Sequence, residues 1–210
     1  MNRTSHSQGF ALPTLMLMLA LTSLGALLAM RHLWVNEQLL NAEADQLRTQ
    51  QKAEAVLPLA LLDILGASAT NRDEVIPNLR HTAGNATQTH AFFPSSHTDY
   101  DLLRQRLGTN TCSAGICAPN ALVANATQAS YWRAQMATAM QVSAIDSPDG
   151  NNTAWYWVEV FPQANTTSFV YRITALANGV MAGSTTVLQA AWVRQTATTG
   201  QWHSWHLLND

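Results

Sequence analysis

From Phe10 to Met30 the chain runs for 21 residues without one charged side chain, FALPTLMLMLALTSLGALLAM. As a helix rising about 1.5 Å per residue, this run spans roughly 31 Å, the thickness of a hydrocarbon core. Arg3 precedes it, and Arg31 and His32 follow it. A cleavable secretory signal has a shorter apolar stretch and a small-x-small cleavage site. Here the run is long and leads into a helical pattern without a turn, which predicts a retained single-pass anchor. Positive charge flanks both ends, so charge bias leaves the orientation open. The tiny N-terminal tail and a cysteine pair further along favour a C-terminal domain outside the cytoplasm.

Helical character continues past the anchor. Leu33, Trp34, Leu39, Leu40, Leu47, Val56 and Leu57 recur at spacings that line one side, with Glu37, Glu43, Asp45, Arg48 and Lys52 between them. No glycine falls between Gly25 and Gly66. A continuous helix from Phe10 to Leu57 would measure roughly 70 Å, and Pro58 is expected to end or kink it. Such a helix outruns any membrane, so its outer half either packs on a folded domain or serves as a stalk.

The 210 residues suffice for one medium domain plus this anchor. Charged residues make up 11% of the chain and the formal net charge is −2, a balance that argues against nucleic acid as a ligand. Cys112 and Cys117 enclose four residues, Gly115 among them. In an oxidising compartment this spacing predicts a disulfide, worth about 2 kcal/mol by loop entropy. Two free thiols are the alternative, and a metal site lacks the second pair it would need.

Residues 67–130 carry turn residues and only short periodic pieces, with helices expected at Asp99–Leu107 and Ser130–Val142. From Thr153 the pattern changes to strands: Trp155–Phe161, Ser168–Thr174, Thr185–Arg194 and Trp202–Leu207. Four strands on short loops predict an antiparallel meander, and packing it on the outer half of the long helix gives an α+β fold. Alternation sets Trp155 and Trp157 on one face, expected to be core against the helix; an aromatic face for carbohydrate or cell surfaces is the alternative.

Catalytic motifs do not occur: there is no Gly-x-Ser-x-Gly, His-Glu-x-x-His or phosphate loop. The seven histidines (His6, His32, His81, His90, His97, His203 and His206) are scattered. His203 and His206 stand three apart, on opposite faces of a strand, so a shared metal is not expected. Asp146 to Asn152 forms an acidic turn that is read as solvated, with calcium as its alternative. Asn-x-Thr sequons, such as those at Asn85 and Asn125, carry little weight in this reading. No enzyme activity, cofactor or metal is expected.

Three features converge: a polar leader ending in Gly9, an apolar segment starting at Phe10, and one half-buried helix continuing from it. Together they resemble a type IV pilin-like protein. The resemblance implies that prepilin peptidase cuts between Gly9 and Phe10, and that Phe10 is then N-methylated. Gln51-Lys52-Ala53-Glu54-Ala55-Val56-Leu57 is similar to the helical stretch of the PilX group of minor pilins. Cys112–Pro119 (CSAGICAP) looks like that group's small cysteine loop. Tyr171–Ala175, Val187–Gln189 and Trp192–Arg194 resemble its last strands.

Thr14 departs from the major pilins, which carry a glutamate at this fifth position after the cleavage site. That carboxylate is thought to meet the N-terminal amine of a neighbouring subunit and to set register, since a buried unpaired charge is costly. With Thr14 the salt bridge cannot form. Threonine either packs in the apolar seam or marks a rare subunit of an initiating or tip complex, and PilX-like proteins often lack the glutamate.

The resemblance implies a leader at 1–9, a transmembrane helix at 10–30, its extracytoplasmic continuation at 31–66, a variable region with the cysteine loop at 67–152, and an antiparallel sheet at 153–210. The implied function is a minor pilin that primes or caps type IV pilus assembly, with a role in adhesion or aggregation. Its partners would be prepilin peptidase, the inner membrane, and other minor pilins and the major pilin through the N-terminal helix. The domain would stand in the periplasm and then on the pilus or cell surface. A type II secretion minor pseudopilin, a membrane-anchored extracytoplasmic binding protein and an anchored enzyme are the alternatives.

Overall fold

A computed structural model describes residues 11–66, 80, 83, 87, 89–109, 111–143, 153–163, 168–196 and 199–210. Gly9, Phe10, Asn85 and the acidic turn at 146–152 lie outside the described residues. The chain divides into two units, Met1–Ala44 and Asp45–Asp210. In the first, the described residues form the N-terminal part of α1 (Ala11–Leu65), with the side chains of residues 12–43 exposed. The second holds the rest of α1 and an α+β domain.

Pro58 lies inside α1 and does not end it. Its missing N–H removes the bond to the Glu54 carbonyl. Even so, Val56, Leu57, Ala60 and Ile64 around it are buried in the domain core, while Pro58 itself faces solvent. Burial of that flank outweighs one lost helical hydrogen bond. The helix stops at Gly66, whose φ of 74° suits glycine and whose N–H donates to the Asp63 carbonyl at 3.2 Å.

After α1 come α2 (His97–Leu107), β1 (Cys112–Ser113), β2 (Ile116–Cys117), α3 (Ala129–Ala134), β3 (Met140–Val142), β4 (Ala154–Pro162), β5 (Phe169–Asn178), β6 (Thr185–Arg194) and β7 (Gly200–Leu207). Ser96 caps α2 by accepting from the Asp99 N–H at 3.1 Å. The expected helix at Ser130–Val142 is instead a six-residue helix, a 3₁₀ turn (Met136–Thr138) and strand β3. β3 pairs with β4 at Met140↔Tyr156 through Val142↔Ala154, and this pairing overrides the helical pattern in the sequence.

The meander β4-β5-β6-β7 forms as expected, within a larger sheet of order β1-β2-β4-β5-β6-β7 with β3 also on β4. The sheet is mixed rather than purely antiparallel, because β2 runs parallel to β4 at Ile116↔Val158 and Cys117↔Glu159.

Both faces of the sheet are covered. Tyr156, Val158 and Val160, with Phe169, Tyr171, Ile173, Leu188, Ala190 and Trp192, share a core with Ala53, Val56, Ala60 and Ile64 of α1. Trp157 lies on the other face with Trp132, Leu176, Val187 and the cysteine pair. Its ring sits 5.0 Å from that of Trp132. Trp155 packs on the same cluster, so the pair faces α3 and not α1, contrary to expectation. Further along that face Arg172 donates to Glu159 at 2.5 and 2.7 Å and lies over the Phe161 ring. Burial pushes the Glu159 carboxyl above its ordinary value, and Arg172 tempers that rise.

Candidate functional site

An apolar window of α1, beginning near Leu12, has mean hydropathy 2.0, and none of it is buried. Leu15, Met16, Leu19, Leu24, Leu27 and Leu28 are all exposed. The helix is long and apolar enough to cross a membrane. Thr22 returns its hydroxyl to the Met18 carbonyl at 3.0 Å, so this polar side chain is satisfied within the helix. Thr14 lies in the first turns of this exposed segment and brings no carboxylate to it.

From Asp45 onward α1 is clasped by the loop joining β5 to β6. Asp45, Thr49 and Lys52 are buried, not the solvated positions that their charge and polarity suggest. Asp45 accepts the N–H groups of Val180 at 2.9 Å and Met181 at 3.2 Å. Lys52 donates to the Asn178 carbonyl at 3.3 Å. Burial pushes the Asp45 carboxyl up, but the Val180 N–H, the Ser184 hydroxyl, the Met181 N–H and the Lys52 charge together hold it below its ordinary value. Gly179 is needed here because a Cβ would meet the Ser184 hydroxyl at 2.5 Å and would crowd Asp45 and Thr49.

At the other end of this stretch, Asp63 takes an ion pair from Arg80 at 2.6 Å. Arg80 also donates to the Ala114 carbonyl at 2.7 Å. Ala114 belongs to the turn of the cysteine hairpin, where Cys112 and Cys117 are disulfide-bonded with their Cα atoms 4.0 Å apart. Gly115 in that turn has φ 77°, and a side chain there would strike Met140 and the Tyr156 carbonyl. The hairpin is thereby fixed to β3, β4 and α1 together.

A groove of about 530 Å³ lies between α1 and β7, lined by Glu54, Leu57, Pro58, Trp202, His203 and Trp205 among others. The pairing of β6 with β7 slips by one residue between Ala191 and Trp192. Trp202 therefore stands opposite Trp192, and Trp205 opposite Ala190. His206 falls opposite Gln189, on the far face, while His203 lines the groove. Among the described residues, no three His, Cys, Asp or Glu side chains gather as a metal site.

Thr14 sits on the exposed apolar helix, the cysteines on the far side of the sheet, and Gly9 and Phe10 outside the described residues. Sequence reasoning missed Asp45, Lys52, Asp63 and Arg80 as structural groups and Glu54 as a groove residue. Charged residues one or two turns from buried apolar positions were the available sign. No protein-family model, curated protein or solved structure matches this chain.

Proposed function

We propose that this chain is a minor-pilin-like subunit of the PilX kind, which enters the inner membrane, is processed before Phe10, and primes or caps type IV pilus assembly. One observation carries this reading: α1 leaves its apolar window uncovered, yet from Asp45 it is built into the core of an α+β domain. A plain membrane tether needs no such burial of its outer half. In assembly the exposed helix would leave lipid for an equally apolar bundle of pilin helices, where close packing drives association. Thr14 offers no carboxylate to a neighbour's N-terminal amine, which suits a subunit at the start or tip of a filament better than one repeated along the shaft. The domain would face the periplasm and later the cell exterior, where the Cys112–Cys117 disulfide persists.

The test is the mass of the mature N-terminal peptide in cells with and without prepilin peptidase. A peptide starting at N-methylated Phe10, lost without the peptidase and lost in Gly9→Val, is the expected result. An intact Met1 in both strains would falsify the reading and leave an anchored extracytoplasmic binding protein. Processing with normal piliation in a deletion strain, but failed secretion, would assign the chain to type II secretion.

A further inference from the structure

The two sides of the sheet end differently. On one side, β2 and β3, of two and three residues, pair with the outer edge of β4, and β1 lies beyond β2. On the other, β7 is the last strand, and among the described residues β6 is its only strand partner. An open edge presents a row of backbone donors and acceptors, and natural sheets blunt such edges with lysine, proline, inward charges, β-bulges or a covering element; of these, β7 carries the bulge opposite Ala191 and Trp192. β7 reads Gly-Gln-Trp-His-Ser-Trp-His-Leu, with no lysine, proline or formally charged residue, and every position after Gly200 is exposed.

The slip opposite Ala191 gives this edge a shaped flank. Unbroken alternation would send residues three apart to opposite faces. With the bulge, Trp202 and Trp205 both stand opposite residues of the α1-facing core, Trp192 and Ala190. They remain 42% and 51% exposed. The groove beside them is closed below by Leu57, Pro58 and Glu54 of α1. Among the described residues, Glu54 holds the one formal charge in the groove lining, and its carboxylate accepts the neutral amide of Gln50 at 2.9 Å. The complement of this surface is an extended backbone with apolar side chains on one face and a cation among them.

We propose that β7 is the docking edge for an extended segment of another protein, which adds to the sheet as a strand, packs apolar side chains on Trp202 and Trp205, and sets a lysine or arginine against Glu54. Backbone pairing supplies the hydrogen bonds, and the groove supplies the side-chain selectivity. This proposal stands on the sheet edge and goes beyond the pilus reading, since nothing in it depends on N-terminal processing.

The experiment uses the full-length protein in detergent micelles. The probe is an acetylated, amidated peptide of alternating valine and threonine with one central arginine. Amide hydrogen exchange across β7 and tryptophan emission are followed as peptide is added. The expected result is slowed exchange at β7 with saturable binding. Glu54→Gln should weaken binding on the order of tenfold by removing a charge-assisted contact, and Trp205→Ala comparably. The same peptide with a central glutamate should bind at least that much less well, and one N-methylated at every backbone nitrogen, which blocks both hydrogen-bonding edges, should give no protection. Unchanged β7 exchange at millimolar peptide overturns the proposal, as does equal binding of the N-methylated peptide. Protection that rises with protein concentration alone would assign the edge to a second copy and also overturn it. A change in tryptophan emission with methyl glucoside or tetramethylammonium, without peptide protection of β7, would make the groove a small-ligand site instead.

Discussion

Tyr156, the third residue of β4, donates its hydroxyl to Asp63 Oδ2 at 2.6 Å, joining the sheet to the last turns of α1. The same carboxylate receives Arg80 through Nε at 2.9 Å, and the guanidinium lies 5.3 Å over the Phe93 ring. Arg80→Ala would strip the half of this pair that is buried at 2% exposure. Removing one partner of a buried pair leaves the other uncompensated, at a cost of about 3–5 kcal/mol. Urea unfolding of the full-length protein in detergent should show that loss, with a smaller one for Tyr156→Phe, which removes one hydrogen bond at about 1 kcal/mol.

Asp45 makes the clasp between α1 and the β5–β6 loop sensitive to acid. Its folded carboxyl is held below the ordinary value, so the unfolded chain takes up its proton at higher pH. The resulting stabilisation is complete above the ordinary carboxylate range and is lost as pH falls through it toward the folded value. Unfolding curves between about pH 5 and about pH 2 should be less steeply pH-dependent in Asp45→Asn than in the parent. At neutral pH the variant should lose about 1–3 kcal/mol, as charge-assisted bonds to two backbone N–H groups become neutral ones.

Gly179→Ala tests the same clasp by crowding. The new methyl would press on Asp45, Thr49 and Ser184 at once. Overpacking of this kind costs about 1–3 kcal/mol. Hydrogen exchange should reveal faster opening of the Val180 and Met181 amides, with β4 unaffected at its centre. Gly183→Ala, in the same loop, meets no atoms within 4 Å but carries φ 87°, so it should act through backbone strain alone and spare those two amides.

Replacing both cysteines by serine should cost about 2 kcal/mol, the entropy of a loop this short. Because Cys112 and Cys117 share a cluster with Trp132 and Trp157, near-UV circular dichroism should change while the far-UV spectrum holds. An unchanged aromatic spectrum would mean that the hairpin keeps its place without the bond.

The long apolar helix was legible from its uncharged run, and the long strands from their aromatic and β-branched residues. Thr185–Arg194 coincides with β6 at both ends, and the other three strands differ from expectation by one to four residues. Trp155 and Trp157 misled for a physical reason. β4 is buried on both faces, so its apolar run shows alternation without showing which side meets the helix. Pro58 was expected to end or kink the helix, yet α1 runs on past it; local sequence cannot weigh the burial of Val56, Ala60 and Ile64 around it. Arg80 and Asp63 could not be paired from sequence, since nothing local links them. The bulge that turns Trp202 and Trp205 to one side depends on the register of β6 against β7 and leaves no trace in β7 alone. The processing residues Gly9 and Phe10 remain legible only through resemblance.

Burial of β4 from both sides also bears on how such a chain can drift over generations. A strand packed on one face can exchange its outward residues almost freely. From Tyr156 to Val160 every residue is buried, with neighbours on α1 above and on the cysteine hairpin and α3 below. A replacement at Tyr156, Val158 or Val160 must fit the core on the α1 side, and one at Trp157 the cluster on the α3 side, so the strand as a whole answers to two sets of contacts. Descendants of this protein would therefore diverge slowest along these five residues.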